Sequence, residues 1–165
     1  MRRRRLLVCT GALALLGAGP PAPIALRTLE GAETVIQRGP DGPDWVLHFW
    51  ASWCPECIEE LPALARAAQA CDPARVRVIA VNVAETPEQV RQYLSGNPIA
   101  LSVLLDPRGK AWRGAGLWGM PANLWWTQGG VRTREGPTRA EEWRRSLGEL
   151  GCGEGAPGAV GHEAP

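Results

Sequence analysis

The sequence predicts an α/β fold, and two stretches carry that prediction. Residues 45–50 form an apolar and aromatic run long enough for a buried strand, and a helical pattern opened by C-x-x-C follows after a brief polar break. In residues 75–83, polar and apolar side chains first alternate and an apolar run then follows, which is typical of a buried parallel strand. Strand and helix patterns therefore alternate along the chain, as they do in α/β proteins.

Before the first helix the pattern predicts three strands. Residues 24–29 and 33–37 are expected to form two short strands, and the prolines and glycines of residues 39–43 form a turn into the third. The helix is predicted over residues 55–70, because its apolar side chains recur at helical spacing. Pro62 lies inside this helix and is expected to kink it, since proline removes one backbone hydrogen bond.

After residue 83 the chain is expected to continue with further helices and strands. In chain order these are a helix over residues 86–95, a strand over 100–105, a short helix over 110–114, and strands over 122–127 and 131–135 joined by a hairpin turn. Thr138 is predicted to cap the last helix, with Glu141 completing a capping box. Residues 151–165 have no apolar period and are predicted to be a disordered tail.

Two cysteines, Cys54 and Cys57, open the first predicted helix. A sulfur at a helix start faces unpaired backbone N–H groups and the positive end of the helix dipole, which stabilise its thiolate. A zinc site would need two further ligands, and the sequence contains no second C-x-x-C or C-x-x-H pair. Haem attachment would need histidine directly after the second cysteine, where Ile58 stands. We therefore interpret the pair as a redox site.

Three stretches of the chain resemble the thioredoxin superfamily, and within it the exported TlpA-like and ResA-like thiol:disulfide oxidoreductases. They are W-V-L-H-F-W-A-S-W-C-P-E-C-I-E-E-L-P at residues 45–62, V-I-A-V-N-V at residues 78–83 and G-M-P at residues 119–121. The resemblance extends from residue 24 to residue 150. It implies a thioredoxin-like fold, with a central mixed β-sheet flanked by helices and an inserted helix and strand before a cis-proline.

The resemblance also implies roles for individual residues. Cys54 is then the attacking cysteine, Cys57 the resolving cysteine, and Pro121 the cis-proline that faces them. Glu60, three residues after the second cysteine, is then the acid near the thiols. The residues expected to bind the substrate protein are Trp53, Pro55, Met120 and Pro121, with packing as the alternative role of Trp53.

The sequence leaves open the roles of two polar residues near the cysteines and gives one expectation for a third. Glu60 either is a solvated helix charge or takes the proton that Cys57 must lose before it attacks. His48, six residues before Cys54, either is a satisfied core histidine or takes part in proton transfer. Glu56 is expected to be exposed, and its negative charge disfavours a nearby thiolate and lowers the reduction potential, which favours a reductant.

The N-terminus has the pattern of an export signal. Residues 2–5 are arginines, and residues 6–19 form an apolar stretch of 14 residues, shorter than the roughly 20 that a membrane-spanning helix needs. We therefore predict a secretory signal over residues 1–25, cleaved after Ala22 or Ala25, with an uncleaved anchor as the alternative. Without these arginines the chain has 14 basic and 17 acidic residues, so its charge does not indicate a nucleic-acid partner.

Two cysteines outside the motif are predicted to form a structural disulfide, because export removes Cys9 and leaves an even number in an oxidising compartment. Cys71 lies at the end of the helix that the motif opens, and Cys152 lies just past the last predicted helix. In a thioredoxin-like fold these helices run along the same face of the sheet, so their far ends are neighbours, within the roughly 4.4–6.8 Å between Cα atoms that a disulfide needs. The alternative is a buried Cys71 and a free Cys152 thiol.

The predicted function is that of an exported, periplasmic-type disulfide reductase that works through the Cys54-Pro55-Glu56-Cys57 dithiol. Cytochrome c maturation is one process that such a reductase could serve. The expected partners are a protein substrate with a disulfide or dithiol and a membrane thiol-reductant donor. No cofactor, metal or nucleic acid is expected. The alternatives are a disulfide oxidant or isomerase, and a redox-inert binding module or metal chaperone on the same scaffold. The thioredoxin-like domain is assigned to residues 26–150.

Overall fold

The structure, a computed structural model, describes residues 22–153 of the chain. In chain order its elements are β1 (Ile24–Arg27), β2 (Glu33–Ile36), β3 (Asp44–Trp50), α1 (Pro55–Ala68), β4 (Val76–Val83), α2 (Pro87–Gly96), β5 (Ser102–Asp106), α3 (Lys110–Gly114), β6 (Ala122–Thr127), β7 (Gly130–Glu135) and α4 (Ala140–Gly148). No helix in this range has the length and apolar character needed to cross a membrane. The predicted signal up to residue 21 and the predicted tail from residue 154 lie outside the described residues.

The strands form one mixed sheet in the order β2-β1-β5-β4-β3-β6-β7. β3 pairs in parallel with β4, and β4 pairs in parallel with β5. On its other side β3 pairs antiparallel with β6, which pairs antiparallel with β7. Between β4 and β6 the chain forms α2, β5 and α3, which include the predicted extra helix and strand. The predicted α/β fold with a mixed central sheet is therefore confirmed.

β3 lies at the centre of this sheet, and every side chain from Val46 to Trp50 is buried. Successive side chains of a strand point to opposite faces of the sheet. Leu47 and Phe49 accordingly belong to one core cluster, whereas Val46 packs on the other face with side chains of α1 and α4. Because both faces of the strand are covered, its sequence is a nearly continuous apolar run. The loop that follows it therefore begins at a buried residue.

α1 and α4 pack on the same face of the sheet. Leu64 of α1 shares a core cluster with Trp143 and Leu147 of α4. α1 begins at Pro55, where the missing N–H of proline leaves no intrahelical bond unmade. It ends at Ala68, two residues earlier than predicted.

The predicted capping of the last helix is wrong. α4 takes Arg139 as its N-cap, so Glu141 occupies the second helical position instead of the third. Thr138 forms hydrogen bonds with core residues instead. Its backbone N–H donates to Oε2 of Glu60 (3.0 Å), and its hydroxyl accepts from Nδ2 of Asn123 (3.2 Å). These tertiary hydrogen bonds displace the local capping pattern by one residue.

The fold extends past the predicted start of the tail. Gly151 has a φ of 88°, a conformation that favours glycine and lets the chain turn after α4. Cys152 is buried, and the backbone N–H of Gly153 donates to the carbonyl of Ala70 (3.2 Å). Residues 151–153, assigned to the tail by composition, therefore belong to the folded domain.

Candidate active site

Cys54 and Cys57 form a disulfide at the start of α1, with their Cα atoms 5.3 Å apart. Cys54 is the N-cap of the helix, and its sulfur accepts a hydrogen bond from the backbone N–H of Cys57 (3.3 Å). After reduction, that N–H and the positive end of the helix dipole would stabilise a thiolate at Cys54. Cys54 keeps 7% exposure, whereas Cys57 is fully buried, so Cys54 is the more accessible of the two residues.

Cys54 lies on an open groove of about 600 Å³. The residues that line this groove are Trp53, Cys54, Pro55, Glu56, Trp112, Trp118 and Met120. The Met120–Pro121 peptide bond is cis, and Pro121 itself is buried. Three of the four residues predicted to bind substrate thus line the groove beside the sulfur, and the fourth, Pro121, directly follows Met120.

Trp112 and Trp118 also line the groove, although no sequence pattern considered above predicts them as site residues. Trp118 is 76% exposed and Trp53 is 63% exposed, so two solvent-facing indoles share the groove with Cys54. The signal that could have identified Trp118 is its place in the glycine-rich segment 114–119, where no regular element is predicted to bury a large side chain.

Glu60 is buried one turn beyond Cys57, at 4% exposure. Its Oε1 accepts a hydrogen bond from Nε1 of Trp143 (2.8 Å), and its Oε2 accepts one from the N–H of Thr138 (3.0 Å). Burial raises the pKa of this carboxyl above its usual value, although the hydrogen bonds act in the opposite direction. Within residues 22–153 no hydrogen bond joins Glu60 to a cysteine sulfur. Glu60 is therefore a core carboxyl and not a solvated helix charge.

His48 lies on β3 beside Glu60 and is fully buried. Its Nδ1 is 2.8 Å from Oδ1 of Asn123 and 3.6 Å from Oε1 of Glu60. Burial lowers the pKa of His48 to about 4, so the ring is neutral at pH 7, with the proton on Nδ1 donated to Asn123. Its Nε2 has no hydrogen-bond partner among the described residues. His48 and Glu60 thus form a buried polar pair between β3, α1 and α4.

Cys71 and Cys152 form a second disulfide, with their Cα atoms 4.3 Å apart. Both are buried, at 8% and 7% exposure, and both belong to the core cluster that α1 and α4 share. Because the two helices pack side by side, their C-terminal ends are neighbours, and each cysteine follows one of those ends. Across residues 22–153 no group of three or more His, Cys, Asp or Glu side chains is placed to hold a metal ion.

The sequence model of the AhpC/TSA family matches residues 23–139, which include the central strand, the dithiol and the cis-proline. The chain belongs to the AhpC/TSA family. Together with thioredoxin-fold oxidoreductases among the similar solved structures, this membership confirms the predicted thioredoxin-like fold and superfamily.

Relatives of this AhpC/TSA-family chain are named thiol:disulfide oxidoreductases. It is 28% identical over 127 residues to sporulation thiol-disulfide oxidoreductase A of Bacillus subtilis, covering 74% of this chain and 76% of that protein. It is 41% identical over 83 residues to the thiol:disulfide interchange protein DsbE of Xylella fastidiosa, covering 49% of this chain but 39% of that protein. The crystal structure of a secreted disulfide oxidoreductase of Mycobacterium tuberculosis matches with a TM-score of 0.61 and 26% identity, over 78% of this chain and 94% of that one. These relatives confirm the predicted enzyme class.

Proposed function

We propose that this protein is an exported disulfide reductase. The observation that supports this function is the asymmetry of the dithiol. Cys54 caps the helix on an open aromatic groove, whereas Cys57 is buried one turn further in. Such a pair offers one sulfur to a partner and keeps the other for the second step.

The reaction is two successive thiol–disulfide exchanges. The Cys54 thiolate attacks one sulfur of a client disulfide and forms a mixed disulfide, and the other client sulfur leaves as a thiolate that takes a proton. Cys57 then loses its proton and attacks the sulfur of Cys54, which releases the second client thiolate and forms the Cys54–Cys57 disulfide. Two electrons thereby reach the client, and a membrane thiol reductant restores the dithiol by the reverse exchange.

The client segment is held by the groove beside Cys54. Trp53, Pro55 and Met120 offer it apolar contact, and the main chain before Pro121 pairs with the extended client chain. Clients with accessible cysteines fit this open site, and the cysteines of a c-type cytochrome before haem attachment are one such class.

Export is supported by the basic and apolar pattern of residues 2–19 and by the similar secreted protein of Mycobacterium tuberculosis. β1 begins at Ile24, so cleavage after Ala22 leaves the strand whole, whereas cleavage after Ala25 removes half of it. We therefore favour the first of the two predicted cleavage positions.

The direction of electron transfer is tested by the reduction potential of the Cys54–Cys57 couple. Glu56 is exposed between the cysteines and lines the groove, and its charge disfavours the reduced, thiolate form. We expect a potential near the value of about −270 mV found for thioredoxin, with rapid reduction of insulin disulfides. Equilibration with glutathione or dithiothreitol measures it, and a potential near about −120 mV would make the protein an oxidant instead.

Alkylation of the reduced protein is expected to label Cys54 well before Cys57 at neutral pH. Cys54 is the more accessible of the two residues and has the helix N-terminus to stabilise its thiolate, while Cys57 is fully buried. Mass spectrometry of peptides after a short treatment with iodoacetamide gives the order. Preferential labelling of Cys57 would reverse the two roles.

Glu60→Gln is expected to lower the rate of disulfide reduction at pH 7 by about a hundredfold, because we propose that this carboxylate takes the proton of Cys57. Burial raises the pKa of Glu60, so the wild-type rate should rise with pH through an inflection above the usual carboxyl pKa, and the variant should lack it. Steady-state rates across pH test this. Glu59→Gln, at the exposed neighbouring position, is the matched control and should behave like the wild type. Identical profiles for the two variants would remove Glu60 from the mechanism.

A further inference from the structure

Glu85 is a second buried carboxyl, separate from the pair formed by Glu60 and His48. It directly follows the turn after β4 and is 6% exposed. One of its oxygens accepts hydrogen bonds from the backbone N–H of Ser52 (2.7 Å) and from Nδ2 of Asn82 (2.6 Å). The other accepts from the hydroxyl of Ser52 (2.5 Å). All three partners donate, so both oxygens of this buried carboxyl have hydrogen-bond partners.

Two of these bonds hold the short loop that connects β3 to the reactive sulfur. Ser52 stands two residues before Cys54, and one of the bonds uses its backbone N–H, so Glu85 fixes the main chain of the loop and not only a rotatable side chain. The loop is closed by one further bond, from the N–H of Cys54 to the carbonyl of Ala51 (3.1 Å). The extended backbone that makes Cys54 the helix N-cap depends on the path of this loop.

The same turn is connected to the other side of the groove. Ala84, next to Glu85, has a left-handed φ of 61°, and its N–H donates to the carbonyl of Asp106 (3.1 Å). The carboxylate of Asp106 accepts from the N–H of Trp112 (2.9 Å), and Nε1 of Trp112 donates to the carbonyl of Gly119 (3.2 Å). Hydrogen bonds thus continue from the turn after β4 to the residue before Met120. A left-handed alanine is unfavourable, and here it orients Glu85 towards one loop and its own N–H towards the other.

We propose that Glu85 is a positioning residue that keeps Cys54 at the N-cap of α1 by holding Ser52. Without Glu85, no hydrogen bond connects Ser52 to the turn after β4, and the loop can move. The sulfur of Cys54 then no longer stays beside the N–H of Cys57 and the positive end of the helix dipole. The inference deepens the proposed function and rests on it, because it concerns the same attacking thiol.

The test compares Glu85→Ala with Glu85→Gln in the full chain. The amide of glutamine can keep all three bonds, since its oxygen can accept from the Ser52 and Asn82 N–H groups while its NH₂ donates to the Ser52 hydroxyl, which can also accept. Alanine keeps none. Glu88→Ala, at an exposed position in the first turn of α2, is the control. The readouts are the alkylation rate of Cys54 in the reduced protein at neutral pH and the reduction potential of its couple.

We expect Glu85→Ala to alkylate at Cys54 about fivefold more slowly than the wild type, because it loses the stabilisation of the thiolate by the helix start. Its potential should shift to a more negative value, since the reduced form is less stabilised. Glu85→Gln should restore most of both properties. Wild-type values in Glu85→Ala, or an equal loss in Glu85→Gln, would overturn the positioning role.

If Glu85→Ala fails to fold, as circular dichroism would show, Ser52→Ala decides the question, because it removes only the hydroxyl bond. We expect about a twofold slower alkylation of Cys54 in that variant, and an unchanged rate would overturn the proposal. Alkylation needs no disulfide substrate. A wild-type protein that reduces no disulfide would therefore defeat the proposed reductase function while the effect on Cys54 could still be measured.

Discussion

Replacing Cys71 and Cys152 together with alanine should lower the free energy of unfolding by about 4 kcal/mol, on the chain-entropy account of disulfides. The two cysteines are 81 residues apart in sequence, so the bond between them restricts a long loop of the unfolded chain. They also lie in the core cluster between α1 and α4, where smaller side chains lose packing contacts. Urea denaturation of the oxidised proteins measures the difference.

The matched control for this variant is the double replacement of Cys54 and Cys57 by alanine. It removes the same number of sulfurs from a pair that is 3 positions apart in sequence, and the same entropy relation gives a loss of about 2 kcal/mol for so short a loop. Peptide mapping without reduction shows whether the Cys71–Cys152 bond forms. Free thiols at both positions, or equal losses in the two double variants, would contradict the structural role of this disulfide.

Cys57→Ser is expected to accumulate a covalent mixed disulfide between Cys54 and its client, and its steady-state reduction of insulin should fall to the uncatalysed rate. Serine cannot attack the sulfur of Cys54, so the first exchange takes place and the second does not. Non-reducing electrophoresis and mass spectrometry detect the adduct, and the same experiment in the native compartment identifies the client.

Cys54→Ser is the control for the trapping experiment and should form no adduct, because the remaining sulfur of Cys57 is fully buried. An adduct on Cys57 in that control would reverse the order of attack. If Cys57→Ser captures nothing and the wild type reduces no disulfide, the protein acts as a redox-inert binding module on the same scaffold.

The parts of the site that the sequence predicts are those with a local signal. The run of residues 45–50 is apolar because β3 is covered on both faces, and the cysteines directly follow it, so strand, thiols and helix are visible together. The cis form of Pro121 is predicted from its place between a glycine-rich loop and a strand, together with the family resemblance. The pairing of Cys71 with Cys152 follows from the order of helices in the fold.

The parts that the sequence does not predict depend on long-range contacts. Thr138 has a capping pattern, but hydrogen bonds to Glu60 and Asn123, both far away in sequence, take up its polar groups. Glu85 resembles any acidic residue before a helix, and its bonds to Ser52 span 33 positions. Propensity and periodicity describe neighbours along the chain, so they cannot identify such pairs.

The position of β3 at the centre of the sheet determines how rarely the strand that leads to Cys54 opens. β3 is hydrogen-bonded to β4 on one side and β6 on the other, and its side chains from residue 46 onwards are buried. Amide hydrogens in such a strand exchange with solvent only in rare, large openings. Cys54 is therefore attached, through a loop of three residues, to a strand whose amide hydrogens we expect to exchange slowly. We therefore expect each cycle of oxidation and reduction to begin with the sulfur in the same position.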